Sequence, residues 1–172
     1  VNNAGLFEQI PLDASDIEWL DRWEDTLRIN LTAAAQLSRF AVRHWQDRAR
    51  NGEEGGGRIV HVASRAAYRG DSPAHWHYAA AKGGLDALTH SLAVSLGPTI
   101  RANAIRPGWV ETAQWQKKDS RSDPDHRPKD REQHPVGRIG RPEDIAEAVA
   151  YLHEAGFVTG QHLNIDGGMT AK

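Results

Sequence analysis

The chain has 172 residues, with 21 Lys and Arg set against 23 Asp and Glu, and it contains no Cys. Near-balanced charge leaves no basic surface of the kind that binds nucleic acid, so no nucleic-acid partner is expected. Without cysteine, disulfides and thiolate metal sites are excluded, no apolar run nears the roughly 20 residues that cross a bilayer, and the cytoplasm is the expected compartment.

Val1 to Gly5 reads as the end of a buried strand running into a turn. From Asp16 to Arg48, apolar residues recur in steps of three and four at Leu20, Trp23, Leu27, Leu31, Ala34, Leu37, Ala41 and Trp45. That period predicts a long amphipathic helix, with a break expected near Trp23. The glycine cluster from Asn51 to Gly57 ends it. Phosphate cradles follow a strand and open a helix; this cluster precedes a strand, so it reads as a flexible turn.

Arg58 to Ala63 is a predicted strand, and a loop from Ser64 to Ala74 leads into a helix from about His75 to Leu96. The apolar stripe of that helix is Ala81, Leu85, Leu88, Leu92 and Leu96, and Gly97-Pro98 stops it. Gly83 and Gly84 each cost the helix about 1 kcal/mol relative to alanine, so close approach of another backbone or a ligand is expected there. Ile100 to Ile105 is the next strand. Ala113 to Pro135 is charged and aperiodic, which predicts an exposed loop or short helical lid. Pro142 suits a first helical position, with Glu143 and Asp144 at the positive end of the dipole. This helix continues to about His153, and His162 to Ile165 is the last strand. Strands alternating with helices predict an α/β domain: a parallel sheet with helices on both faces. The six tryptophans are expected mostly in the core or in subunit contacts.

Tyr78-Ala-Ala-Ala-Lys82 carries the chemistry. Side chains four apart on a helix point the same way, which sets a phenol beside an ammonium. The positive charge favours phenolate and is expected to lower the tyrosine below its usual value of about 10. A tyrosine tuned in that way exchanges a proton with an alcohol or a ketone. His75-Trp76-His77 is not read as a metal site, because residues two apart on a helix do not share a face; the pair is placed on a pocket rim or toward solvent. No metal is expected.

Other pieces accompany this pair. They are Val1-Asn2-Asn3-Ala4-Gly5, Arg28-Ile29-Asn30-Leu31, the strand ending at Ser64, and Arg106-Pro107-Gly108-Trp109-Val110-Glu111-Thr112. Near the end come Gly140-Arg141-Pro142-Glu143-Asp144, Thr159-Gly160-Gln161 and Asp166-Gly167-Gly168. In this order and at these distances, the set resembles the short single-domain short-chain dehydrogenases/reductases, from Val1 to about Gly168.

The resemblance implies an oxidoreductase that moves a hydride between NAD or NADP and a secondary alcohol or its ketone, with a small-molecule substrate. Tyr78 would be the general acid/base, Lys82 would tune it and hold the nicotinamide ribose, and Ser64 would hold the substrate oxygen. Asn30 would orient a water that joins Lys82 to solvent. Asn3, Ala4 and Gly5 match the segment near the adenosine ribose, and Pro107 and Gly108 match the turn under the nicotinamide. The Val110 backbone and the Thr112 hydroxyl would hold the carboxamide. Asp166-Gly167-Gly168 would serve folding or subunit contact. Trp76, Trp109 and Trp115 would flank the site, as a substrate wall or as ordinary packing. A homodimer or homotetramer is implied, built from the two long helices, and 3-oxoacyl reductases share the same motifs. A non-catalytic fragment or scaffold is the alternative of another class.

By the same resemblance, the glycine-rich strand–turn–helix that grips the pyrophosphate is not among these residues. Residues 1–172 are therefore expected to be the C-terminal part of a doubly wound, parallel-sheet Rossmann-like domain, lacking its first βαβαβ portion of roughly 60–90 residues. The residue that chooses NAD over NADP would lie in that portion. The chain by itself is expected to bind dinucleotide poorly.

Overall fold

The computed structural model describes residues 1–54 and 56–171. Gly55, within the predicted glycine turn, and Lys172, at the end of the predicted domain, lie outside the described residues. Three parallel strands, β1 (Gly57–Val62), β2 (Ile100–Pro107) and β3 (His162–Ile165), lie side by side in that order. The register pairs Val62 with Ile105 and Pro107 with Ile165. Parallel neighbours require crossovers, and helices supply both. Helix α4 (Trp76–Leu96) links β1 to β2 on one face, and α6 (Pro142–Glu154) links β2 to β3 on the other.

The face under α4 buries Ala63, Leu85 and Ala104 with Ala34, and further along Ile59, Ala93, Ile100 and Ala102. The opposite face buries Val60 and Ile105 against Ala148 and Leu152 of α6. The expected α/β architecture is therefore what these residues form. Beyond β1, Asn2 makes a single parallel bridge to His61, its amide 2.8 Å from the Val60 carbonyl and its carbonyl 2.9 Å from the Val62 amide. The strand expected over Val1–Gly5 shrinks to that bridge, because at Leu6 the chain leaves the sheet to bond a side chain.

Helix α1 (Asp16–Leu27) begins at Ser15, whose hydroxyl accepts the Glu18 amide at 3.3 Å. No break occurs near Trp23. The helix instead widens into a π turn over Arg28–Thr32 before continuing as α2 (Ala33–Arg50). The cause is a side chain inserted into the ladder: Asn30 donates to the Thr26 carbonyl one turn back, at 3.1 Å. The buried line of this helix pair is Thr26, Asn30, Ala34 and Ser38, a small and polar seam. Leu20 and Leu37 of the predicted apolar stripe face outward, with Leu37 at 59 % exposure.

The expectation at Gly83 and Gly84 is corrected. Gly84 is approached by a side chain rather than a backbone or ligand: a Cβ there would meet Leu31 Cδ2 at 2.8 Å. Gly83 has only ordinary contact, with the Ala67 carbonyl 3.9 Å from such a Cβ. None of the six tryptophans is fully buried, although Trp19 and Trp23 stack with ring centres 4.9 Å apart. The segment after β2 includes the short helix α5 (Pro128–Glu132), and its end is anchored rather than exposed. Asp130 and His134 are buried there, with Asp130 accepting the amide and guanidinium of Arg127.

A polar chain crosses the core under β1. Thr89 Oγ donates to the Leu85 carbonyl, so it accepts from His61 Nδ1 at 2.8 Å. His61 Nε2 then accepts from Ser38 Oγ at 3.1 Å, and Ser38 accepts from the Asn2 amide group. Burial, with help from the charge of the amino group at Val1 and then that of Lys82, pulls His61 down to about 4. Below its unfolded value near 6.5 the unfolded chain takes up a proton that the folded chain refuses. Stability should therefore be full above about pH 6.5 and fall toward pH 4, at up to about 1.4 kcal/mol per pH unit from this group. Urea melts at stepped pH should show that slope, and His61→Gln should flatten it.

Candidate active site

A cavity of about 970 Å³ opens at the C-terminal ends of β1 and β2, where ligands bind in open parallel sheets. Ser64, Tyr78 and Lys82 line it together with Asn3, Gly5, Pro107, Gly108, Val110 and Thr112. Ala4 is exposed and does not line it. Asn30 lies behind the wall, at 1 % exposure.

Ser64 sits just past β1, where its oxygen accepts the Ala66 amide at 3.1 Å and starts the short helix α3 (Ala66–Arg69). Tyr78 and Lys82 share one face of α4. Lys82 Nζ donates to the Val62 carbonyl at 2.8 Å and lies 5.7 Å from the Tyr78 ring centre. The expected lowering of Tyr78 is overturned in the free site. Burial pushes its hydroxyl above the ordinary phenol range, the Ser64 hydroxyl pulls it back in part, and the Asp71 carboxylate adds to the rise. The ammonium is turned to a backbone carbonyl, and burial pulls Lys82 itself down to about 8 against the opposing pull of Asp86.

The loop after Asn2 is clamped at successive residues. Asn30 donates to the Leu6 carbonyl at 2.9 Å and accepts the Leu6 amide at 3.1 Å. Phe7 stacks on His75 at 4.3 Å and meets Tyr78 edge-on at 4.8 Å. His77 Nε2 lies 3.1 Å from the Glu8 carbonyl, and the Ile10 amide donates to the Ala74 carbonyl. Gly5 runs between the two polar side chains: a Cβ there would lie 2.9 Å from Asn30 Oδ1 and 3.6 Å from Lys82 Nζ.

On the opposite wall, Gly108 passes so close to the start of the last turn that a Cβ would meet Asp166 Cα at 2.8 Å. Its amide donates to the Ile165 carbonyl, and the Pro107 carbonyl accepts the Arg65 amide. The bridge between Val110 and Gly140 uses the Trp109 carbonyl and the Glu111 amide. The amide and carbonyl of Val110 itself are left pointing away from Gly140. Among the described residues, Thr112 Oγ receives only a long bond from Gln116, at 3.4 Å.

A family model described as enoyl-(acyl carrier protein) reductase matches residues 1–170. An uncharacterized oxidoreductase of Thermotoga maritima is 47% identical over 176 aligned residues, which take in all of this chain and 65% of that protein. The chain belongs to the short-chain dehydrogenase/reductase family. Among solved structures, acetoin dehydrogenase YohF from Salmonella typhimurium superposes with a TM-score of 0.79 at 29% identity, over 99% of this chain and 63% of that one. A 4-hydroxyisoleucine dehydrogenase mutant complexed with NADH and succinate gives 0.80 at 30% identity, over 99% and 67%. The chain thus spans slightly less than two thirds of the curated relative's length.

Within this short-chain dehydrogenase/reductase chain, several placements differ from expectation. His75 and His77 are buried and hold the Phe7–Glu8 loop, with His75 against the cavity residue Phe7, so of the two expected placements, pocket rim or solvent, the solvent-facing one is corrected. Trp109 and Trp115 line the cavity, and Trp76 does not. Asp166 serves the last turn: it accepts the amides of Gly168 and Thr170, both at 2.9 Å, while Gly167 and Gly168 adopt positive φ. Arg65, Asp71 and Phe7 also line the cavity. No period or spacing marks these three, since each arrives there through loop geometry.

Proposed function

We propose that the protein carrying this chain is an NAD(P)-dependent oxidoreductase that interconverts a secondary alcohol and its ketone. What carries this reading is the meeting of the Ser64 and Tyr78 hydroxyls and the Lys82 amine in one cavity at the ends of parallel strands. The nicotinamide, when bound, supplies or accepts the hydride. Pro107, Gly108 and the Val110 backbone line the wall where the nicotinamide would lie, with Thr112 completing the carboxamide contact and Asn3 and Gly5 on the adenosine side.

Tyr78 gives its proton to the ketone oxygen during reduction and takes one from the alcohol during oxidation. Ser64 holds the same oxygen as charge develops on it. Lys82 restores the proton. Both amide hydrogens of Asn30 are engaged and its Oδ1 accepts one bond, so one lone pair remains for a water beside Lys82. The exposed Leu37 and Phe40 of α2 support self-association along the long helices, as a homodimer or homotetramer.

The test is absorbance at the nicotinamide band, with NADH or NADPH and a panel of ketones that includes 3-oxoacyl thioesters; light scattering on the same sample reads the mass. Turnover with one of them is expected. Tight dinucleotide binding with no turnover on any ketone or alcohol would point instead to a non-catalytic sensor.

A further inference from the structure

Asp86 stands one turn beyond Lys82 on α4 and takes no direct part in the chemistry above. Residues four apart on a helix share a face, so Asp86 lies one turn from Lys82, although no direct ion pair joins the two among the described residues. It is buried, and Arg106 fixes it: Nε and Nη2 reach the same oxygen, Oδ2, at 2.8 and 2.7 Å. The other oxygen, Oδ1, has no hydrogen-bond partner among the described residues, and His162 Nε2 lies 3.6 Å from it. Arg106 stacks over the Tyr68 ring at 5.6 Å and immediately precedes Pro107, so the pair also ties α4 to the end of β2.

We propose that Asp86 is a positioning residue whose buried carboxylate is the counter-charge for Lys82, held in place by Arg106. Lys82 needs one. The Asp71 carboxylate lines the same cavity but acts on Tyr78, whereas Asp86 is the charge that acts on Lys82. The other neighbours of Lys82 are Tyr78 on the same helix, the Val62 carbonyl and His61 on β1, and Asn30 Oδ1 beyond Gly5. None of these carries a negative charge near neutral pH, since Tyr78 is held protonated and His61 neutral by burial. Burial also keeps His162 neutral, despite the Asp86 charge beside it, so Arg106 is the cation that meets this carboxylate. The direction of the Lys82 shift agrees, because Asp86 is the charge that opposes its desolvation. The inference rests on the role proposed above for Lys82, but its test does not require turnover.

The experiment is an NMR titration of the Lys82 Cε resonance in carbon-13-labelled protein, assigned by its loss in Lys82→Arg. In Asp86→Asn the midpoint should fall by about one pH unit, and Asp86→Glu should restore most of it. Mere loosening of the fold admits water and raises the midpoint in every variant, so the sign separates the two roles. A midpoint that stays or rises in Asp86→Asn overturns the proposal, and Asp86→Ser gives the same reading, with the same outcomes, if Asp86→Asn does not fold. Absence of oxidoreductase activity would sink the proposed function and leave this result standing.

Discussion

Tyr78→Phe should lower turnover by about 100- to 10,000-fold while dinucleotide affinity stays within about twofold. The substitution removes one oxygen and keeps the ring. Contacts with the Phe7 ring edge and with Lys82 Nζ are therefore preserved, and binding has no reason to change. The direction of the Tyr78 shift adds a pH signature. Because burial holds the phenol above its ordinary range, the group is protonated across neutral pH and ready to act as an acid. Ketone reduction should run flat through neutrality and begin to fall near pH 8, where Lys82, which restores the proton, loses its own, whereas alcohol oxidation, which needs the phenolate, should rise with pH. Steady-state rates in both directions, with dinucleotide binding followed by tryptophan fluorescence, check all three statements. Unchanged turnover in the variant would remove Tyr78 from the chemistry.

Elements with a strong period were legible from residues alone. The helix through Leu85 fell where its apolar stripe put it, because burial against a sheet demands that spacing, and the helix through Ala148 starts at Pro142 as its cap signals indicate. The strands at Ile59 and Ile105 also lie where they were expected. The pairing of Tyr78 with Lys82 was legible because a helical turn fixes it, whereas Ser64 joined them through the family resemblance. The π turn was not. Its signal is one asparagine, and only the Leu6 carbonyl, 24 positions away, explains why that side chain displaces the ladder. The state of Tyr78 was misread for a related reason. Helical spacing gives neighbourhood, but where an ammonium points depends on which carbonyl it finds, and here that is Val62. Likewise, Thr26, Ser38 and His61 are buried polar residues that any hydropathy pattern assigns outward. Inside, Ser38 and His61 bond each other.

Asn30→Ala is expected to cost about 3–4 kcal/mol, as much as many large core truncations. The amide satisfies three backbone groups at once: the carbonyls of Leu6 and Thr26 and the amide of Leu6. Each would be left without a partner where little water reaches, at about 1–3 kcal/mol apiece, with partial relief from water entering through the cavity. Asn30→Asp should be no better, since it keeps the acceptor for Leu6 but loses both donors and buries a charge. The damage should also reach the site, because Leu6 precedes Phe7 and a freed loop would draw the Phe7 ring from the edge of Tyr78. Chemical denaturation measures the first effect, and hydrogen exchange at the Leu6 amide measures the second, with protection lost in Asn30→Ala. If the denaturation midpoint barely moved and Leu6 stayed protected, the loop would be held by its other anchors, the His77 contact with Glu8 and the Ile10 bond to Ala74. The π turn would then be a consequence of local helix packing rather than the support on which the catalytic wall rests.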